Sequence, residues 1–514
     1  MSQTVSPSCL QDDLGAGRQA GPSWRWAAAL ILAAGGIVFI AGLAGHVLIA
    51  DEVYHYGFAE AWAKAGLLER PTHNPLYGAD AHGWYYASEP LWPMGLSLVW
   101  QATGISQAVA QLYQAAWYML LMLGCYLLGR RLLGPRGAMA ALLLAISMPM
   151  FAAFSVMLYV DVPGTALAAM ALVLVLDRRY FWAGLLLGLA YLTKRPTLFL
   201  APPAALWAIL EAGPLWQRVR RVLLLAAPMV AVVIPESVWT HRHIPVEREP
   251  LSLKFVWEQL LTVFSKNQMP SSLLSPRDLL QYFGLVMAGL GVLYLARRAW
   301  APADRRLWLA MGLFMVPIVL FFAIDTDIRY VMPAVPLLAV AAARGLAGWW
   351  DRRWVLVLLG AAAFAHLGAT AGYVGSQRHL APGPAAVVEF LKTRTPEGTL
   401  LLYPGEDLMA EAKRPVLWAN LQDPATGLRR RASVVALMAE RDPQKVLNIL
   451  RANGIRYIII DQDKVYDDRK DPRPGGYPLS FIERLPAMPF LQEVPGDWPR
   501  MQVWKVNYAE DKPS

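Results

Sequence analysis

The residues that could do chemistry are few, and they sit at the edges of apolar runs. Asp51 and Glu52 directly follow the first run, in GHVLIADEVYHYGFAEAWAKAG. A carboxylate there can orient an acceptor hydroxyl or take its proton. The aromatic-rich stretch behind it (Tyr54, His55, Tyr56, Phe58 and Trp62) makes a helix able to lie in the membrane interface. The plainer reading of both acids is a solvated helix edge. Asp161 opens a later run, FSVMLYVDVPGTALAAMALVLVL, and is followed by Pro163 and Gly164. An acid at a membrane face needs a partner or a cavity, unless it is simply a helix N-terminal acid favoured by the macrodipole. Lys194 and Arg195 interrupt two apolar runs in GLAYLTKRPTLFLAPP. Both residue types bind phosphate well; snorkelling to headgroups is the alternative. Arg329 lies with Asp325, Asp327 and Tyr330 in FFAIDTDIRYVMPAVPLL, as a second phosphate candidate or as half of an internal Asp–Arg pair. Glu89-Pro90, in YYASEPLWPMGLSL, sets an acid among aromatics just before an amphipathic helix.

The elements that must hold these residues follow from composition. Of 514 residues, 56% are apolar and 17% charged, against about 25% charged in soluble domains. Twenty Trp and 20 Tyr exclude a disordered chain. A spanning helix needs about 20 mostly apolar residues. Such runs begin at 26–50 and continue near 107–128, 137–155, 161–176, 181–193, 197–211, 222–240, 278–296, 307–324, 330–343 and 354–373. The expected architecture is an all-α polytopic membrane protein of about eleven spans. Residues 1–25 form a polar tail without the features of a secretory signal. With the N-terminus in the cytoplasm, every Arg-rich short loop falls on the cytoplasmic side: Arg130, Arg131 and Arg136; Arg178 and Arg179; Arg218, Arg220 and Arg221; Arg297, Arg298, Arg305 and Arg306; Arg344, Arg352 and Arg353. The +9 net charge is then largely topological. Nucleic acid is not an expected partner, because no basic stripe is interleaved with stacking aromatics. Cys9 and Cys125 build neither a disulfide framework nor a cysteine metal site.

On this topology Asp51 and Asp161 both face outward, where they could share one site. Lys194 and Arg195 break the positive-inside rule there, and such an exception asks for an anionic partner. The outer side also receives the loop 51–92, the loop 241–276, and a charged C-terminal segment 374–514. In that segment TLLLY (399–403), RYIIID (456–461) and MQVWKV (501–506) read as strands. AAVVEFLK (385–392) and DPQKVLNILRANG (442–454) read as helices, the second with a Gly stop. An external α/β domain is expected after the transmembrane region 26–373. It contains no Gly-rich phosphate loop and no nucleophile elbow.

Together these features resemble the GT-C glycosyltransferases of the protein O-mannosyltransferase and lipid A aminoarabinose transferase type. The similar pieces are Asp51-Glu52 with Tyr54 behind, Glu89-Pro90 before a hydrophobic helix, the Asp161 helix, GLLLGLAYLTKRPTLFLAPP and RYVMPAVPLLAVAAA, over roughly residues 27–373. Arg195 stands where the family has a small residue between Lys and Pro, and 62–92 departs from the family's acceptor loop. The resemblance implies a polyprenyl-phosphate sugar donor and inverting transfer to a lipid, glycan or protein acceptor on the non-cytoplasmic face of a membrane, expected to be the bacterial inner membrane. It implies catalytic roles for Asp51, Asp161 and Glu52, with Asp51 as base and Asp161 as its partner. It implies substrate-binding roles for Lys194, Arg195, Arg329, Glu89 and Tyr54. Some members use a divalent metal. Asp51, Asp161 and a phosphate could hold one, and nothing in the sequence demands it. Two other classes fit the span count. A flippase for lipid-linked saccharides predicts midplane charges and an internal repeat, and neither is seen. A non-catalytic scaffold predicts that Asp51, Asp161 and Lys194 are replaceable together.

Overall fold

The computed structural model describes residues 24–66, 69, 71, 89–243, 328–405, 407–418, 432–468 and 476–508, apart from His46, Ile49, Ala50 and residues 347, 348, 350 and 351. The expected spans near 278–296 and 307–324, most of the loop 241–276, and Asp325 and Asp327 lie outside the described residues.

Helix α1 (Trp24–Ala44) is the first expected span. It buries Ala34, Val38 and Ala41 and exposes Leu32 and Ile40, as a helix does with one face toward protein and one toward lipid. Helices α2 (Asp51–Ala65) and α3 (Leu91–Thr103) follow. Helix α4 (Gln107–Ile146) contains the expected span 107–128 and the first half of the expected run 137–155, which the structure breaks after Ile146. It breaks at Gly134, whose φ of +78° is a conformation that favours glycine, and Pro135 restarts it. A Cβ on Gly129 would lie 2.8 Å from the Cα of Ala138, so the two halves fold back on each other as a hairpin. Arg130, Arg131 and Arg136 occupy its turn. Next come α5 (Pro149–Val156), α6 (Asp161–Leu176), α7 (Tyr180–Thr193), a 3-10 turn over Arg195–Leu200, α8 (Ala201–Leu210) and α9 (Leu215–His243). A second 3-10 turn, Ile328–Ala334, leads into α10 (Val335–Gly345), and α11 (Arg353–Ser376) closes the apolar region.

Among the described residues four helices are long and apolar enough to cross a membrane, namely α1, α4, Leu215–Thr240 and α11. The protein is an integral membrane protein. Arg131 binds Asp177 through two nitrogens, with Nη2 2.8 Å from Oδ2. That contact holds the Asp177 carboxyl below its ordinary range. Glu211 accepts from the Tyr180 hydroxyl and pairs with Arg178 and Arg221.

The remaining elements are α12 (Pro382–Arg394), β1 (Leu401–Tyr403), α13 (Asp407–Ala412), β2 (Val416–Trp418), α14 (Ala432–Ala439), α15 (Pro443–Ala452), β3 (Tyr457–Asp461), β4 (Val465–Tyr466), β5 (Tyr477–Pro478), α16 (Leu479–Ile482), β6 (Leu491–Glu493) and β7 (Met501–Val506). Five strands form one sheet in the order β2-β1-β3-β7-β6. The first three are parallel, and β7 is antiparallel to both neighbours, with Ile459 opposite Val503. Leu402, Val446, Leu450, Ile458, Ile460, Phe481, Trp504 and Val506 share its core. Helix α15 starts and stops where its sequence says it should. The Asp442 side chain accepts from the backbone N–H of Gln444 at 2.8 Å, Pro443 occupies the first turn, and Gly454 ends the helix at φ +69°. The three expected strands and both expected helices of this region are present. Strands β2 and β6, three residues each, are too short to show an alternating pattern in sequence.

The chain divides into two compact units. The described parts of Met1–Ala44, Ala110–Ser237 and Val256–Gly375 form the first. Those of Gly45–Val109, Val238–Phe255 and Ser376–Ser514 form the second. The segment that begins with Asp51 therefore groups with the C-terminal sheet rather than with the main helix bundle.

Candidate functional site

In the first unit the sequence places a cation next to an acid. Asp161 stands at the start of α6 and Lys194 at the end of α7, with Lys194 Nζ 3.6 Å from Asp161 Oδ2. Both are buried, at 3% and 6% exposure. Burying two charges costs several kcal/mol per ion unless they compensate each other, so the pair is a unit. Asp161 Oδ2 is buried without a hydrogen-bond partner and so keeps acceptor capacity. Lys194 is fixed locally. Its backbone is extended, at φ −154°, because α7 ends there, and the Thr197 hydroxyl donates to its carbonyl at 2.7 Å. Gly164, one turn into α6, makes room for it: a Cβ would lie 2.8 Å from Lys194 Cβ and 3.1 Å from Thr197 Cγ2.

Two more predicted cations lie on adjoining elements. Arg195 opens the 3-10 turn after Lys194. Arg329 lies in the second 3-10 turn, which packs against both α6 and the Arg195–Leu200 turn. The Arg329 guanidinium sits 5.4 Å from the centroid of the Tyr159 ring, a cation–π distance. Gln114 was not anticipated. From inside α4 its side-chain amide donates to the carbonyl of Tyr159 at 2.8 Å and reaches those of Phe154 and Met157 at 3.3 and 3.4 Å. It fixes the irregular turn between α5 and Asp161. The structure thus brings together Asp161, Lys194, Arg195 and Arg329 on three contacting elements.

The second unit holds Asp51, Glu52, Tyr54 and Glu89. Asp51 is half-buried at the first residue of α2. Glu52 is fully buried, with Oε1 2.8 Å from Nη2 of Arg378. Arg378 in turn donates from Nε to the carbonyl of Val47 at 3.1 Å, and the Val47 N–H donates back to the carbonyl of Arg378 at 3.1 Å. The start of α2 is therefore clamped to the chain just past α11. Arg378 was missed: it lies at the start of the charged segment 374–514, where a cation on the outer side is no exception. The Tyr54 ring meets His55 and Phe58 edge-on at 4.9 and 5.0 Å, and His55 lies 6.1 Å from Trp92 in the first turn of α3. Glu89, half-buried, directly precedes that turn. The aromatic face expected at a membrane interface is mostly turned inward, since Phe58 and Trp62 are buried as α2 packs on α3. The Tyr56 phenol is pushed above its ordinary value by burial and by Glu60 and Glu411.

Among the described residues no three His, Cys, Asp or Glu side chains converge as a divalent cation requires, and Asp161 faces an ammonium group rather than a second acid. The described residues do not fit a metal site.

Residues 89–239, from Glu89 to near the end of α9, match the family model for dolichyl-phosphate-mannose-protein mannosyltransferase. No curated protein sequence matches the chain. Solved structures do. ArnT from Cupriavidus metallidurans, solved with undecaprenyl phosphate, is 17% identical with a TM-score of 0.62, and the match covers 96% of this chain and 100% of that one. The oligosaccharyltransferase AglB from Archaeoglobus fulgidus, in complex with an inhibitory peptide and a dolichol-phosphate, is 15% identical with a TM-score of 0.56, covering 85% of this chain and 69% of that one. In fold over nearly its whole length, and in sequence across the stretch that carries Glu89, Asp161, Lys194 and Arg195, the protein resembles the GT-C membrane glycosyltransferases.

Proposed function

We propose that the protein transfers a glycosyl group from a polyprenyl-phosphate sugar to a hydroxyl-bearing lipid, glycan or protein acceptor, with inversion, on the non-cytoplasmic face of a bacterial inner membrane. The observation that carries this reading is the buried Lys194–Asp161 pair with Arg195 and Arg329 on adjoining turns. In the reaction the acceptor oxygen bonds to the anomeric carbon as the bond from that carbon to phosphate oxygen breaks. The acceptor proton goes to a carboxylate, for which Asp51 is assigned. The phosphodiester, with one negative charge, leaves as a phosphate monoester with a second charge developing. Preorganised cations are worth most where charge develops, and Lys194 and Arg329 fill that role. Asp161 orients Lys194. Glu52 holds the start of α2 through Arg378, and Glu89 and Tyr54 shape the same segment for the acceptor.

The decisive assay supplies a synthetic polyprenyl-phosphate sugar to the purified protein and follows release of polyprenyl phosphate. Lys194→Gln is expected to weaken donor binding tenfold or more, since a charge-assisted hydrogen bond is worth about 1.5–3 kcal/mol, while acceptor affinity changes much less. Equal losses for both substrates would remove Lys194 from the donor site.

The reading also fixes a topology of eleven spans within 26–373, a cytoplasmic N-terminus and an external 374–514 domain. It rests on the one-sided Arg clusters. Reporter fusions at residues 300 and 400 are expected to report opposite sides of the membrane. The same side for both would overturn the assignment.

A further inference from the structure

The second unit contains a cleft of about 490 Å³ that no step above uses. It lies where the sheet gathers the ends of its parallel strands. Tyr403 ends β1, Asp461 ends the parallel neighbour β3, and Arg500 immediately precedes β7, whose Met501 pairs with Asp461. Ligands of open α/β sheets bind at this edge.

The chemistry of the cleft is specific. Two acids and two cations line it, as two pairs. Lys464 Nζ lies 3.6 Å from Asp461 Oδ2 and donates to the Tyr403 hydroxyl at 3.0 Å. Arg500 Nη2 lies 2.5 Å from Asp463 Oδ1. Asp461 is buried, and its other oxygen accepts from the Asp463 N–H at 3.0 Å. The four charges cancel, so the cleft does not select an ion of either sign. Each acceptor sits beside a donor, which is the pattern a sugar hydroxyl meets with its own donor and acceptor. Pro382, Pro499 and Met501 supply apolar surface for the C–H face of a ring. Val47 and Gln377 also line it. Val47 is bound to Arg378, which holds Glu52, the residue after Asp51.

We propose that this cleft is a saccharide-binding subsite that holds the glycan part of the acceptor. The inference deepens the transferase reading above and rests on it. Among the acceptor classes it selects those that carry sugar: a glycan or a glycolipid.

The test is saturation-transfer NMR on the full chain in detergent micelles, with maltotriose as the probe. Saturation is expected to reach the ring C–H protons. Arg500→Gly and Asp463→Asn should each weaken binding about tenfold or more. Both side chains are largely exposed, and Arg500 has a φ of +60°, which glycine adopts without strain, so Arg500→Gly keeps the fold. No transfer to maltotriose, unchanged affinity in both variants, or displacement of maltotriose by inorganic phosphate would each overturn the proposal. The readout needs no turnover. Release of polyprenyl phosphate without maltotriose binding defeats the cleft alone, and maltotriose binding without any release defeats the transferase reading alone.

Discussion

Asp51→Asn is expected to slow glycosyl transfer about a hundredfold to ten-thousandfold, the usual worth of a general base. The substitution removes a proton acceptor and keeps the shape of the side chain, at a half-buried position on the first residue of α2. Folding and donor binding should therefore stay near those of the parent. The measurement is release of polyprenyl phosphate under saturating donor, beside a donor titration on the same preparation. A variant that transfers at close to the parent rate would make Asp51 a solvated edge residue and take the base out of the mechanism.

The second large effect concerns the clamp. Arg378→Met leaves the Glu52 carboxylate fully buried without its guanidinium. Removing one partner of a buried ion pair costs about 3–5 kcal/mol, whereas replacing both with apolar residues of similar volume is often close to neutral. Arg378→Met is therefore expected to shift unfolding, read by circular dichroism in a denaturant titration, by about that amount. Glu52→Leu combined with Arg378→Met should recover most of it. If the single variant unfolds with the parent, the clamp is not holding α2. If the double variant is stable but transfers no sugar, Glu52 takes part in the reaction itself rather than through the start of α2.

The parts of the protein that were legible in sequence are those where one local rule decides. The strands at 457–461 and 501–506 show their alternating or continuous apolar patterns, and α15 carries its own start and stop in Asp442, Pro443 and Gly454. Lys194 was visible as a cation on the side that the Arg clusters assign to the outside, and Asp161 as an acid at the head of an apolar helix. The spacing between them in sequence could not show that they face each other at 3.6 Å, because that depends on the angle at which α7 ends and on the room left by Gly164. The short helices α7 and α8 and the two halves of α4 were separable because Lys194-Arg195-Pro196 and the Arg130, Arg131 and Arg136 loop interrupt the apolar runs. Arg378 and Gln114 were illegible for a different reason. Each acts on a carbonyl or carboxylate far along the chain, and a lone polar residue inside a hydrophobic run or just past its end carries no local mark of such a partner. The cleft at the edge of the sheet has the same origin: it draws on 47, 377, 461 and 500, and only strand order brings these together.

The clamp also has a consequence in time. Glu52 and Arg378 are 326 positions apart, so a ribosome working at about 5–20 residues per second needs roughly 16 to 65 s between making one and making the other. Throughout that interval the emerging chain presents a carboxylate whose guanidinium partner has not been translated. Assembly around Asp51 therefore cannot finish until synthesis has passed the last apolar helix, and a message cut short anywhere before codon 378 yields membrane-inserted helices in which Glu52 lacks the Arg378 guanidinium.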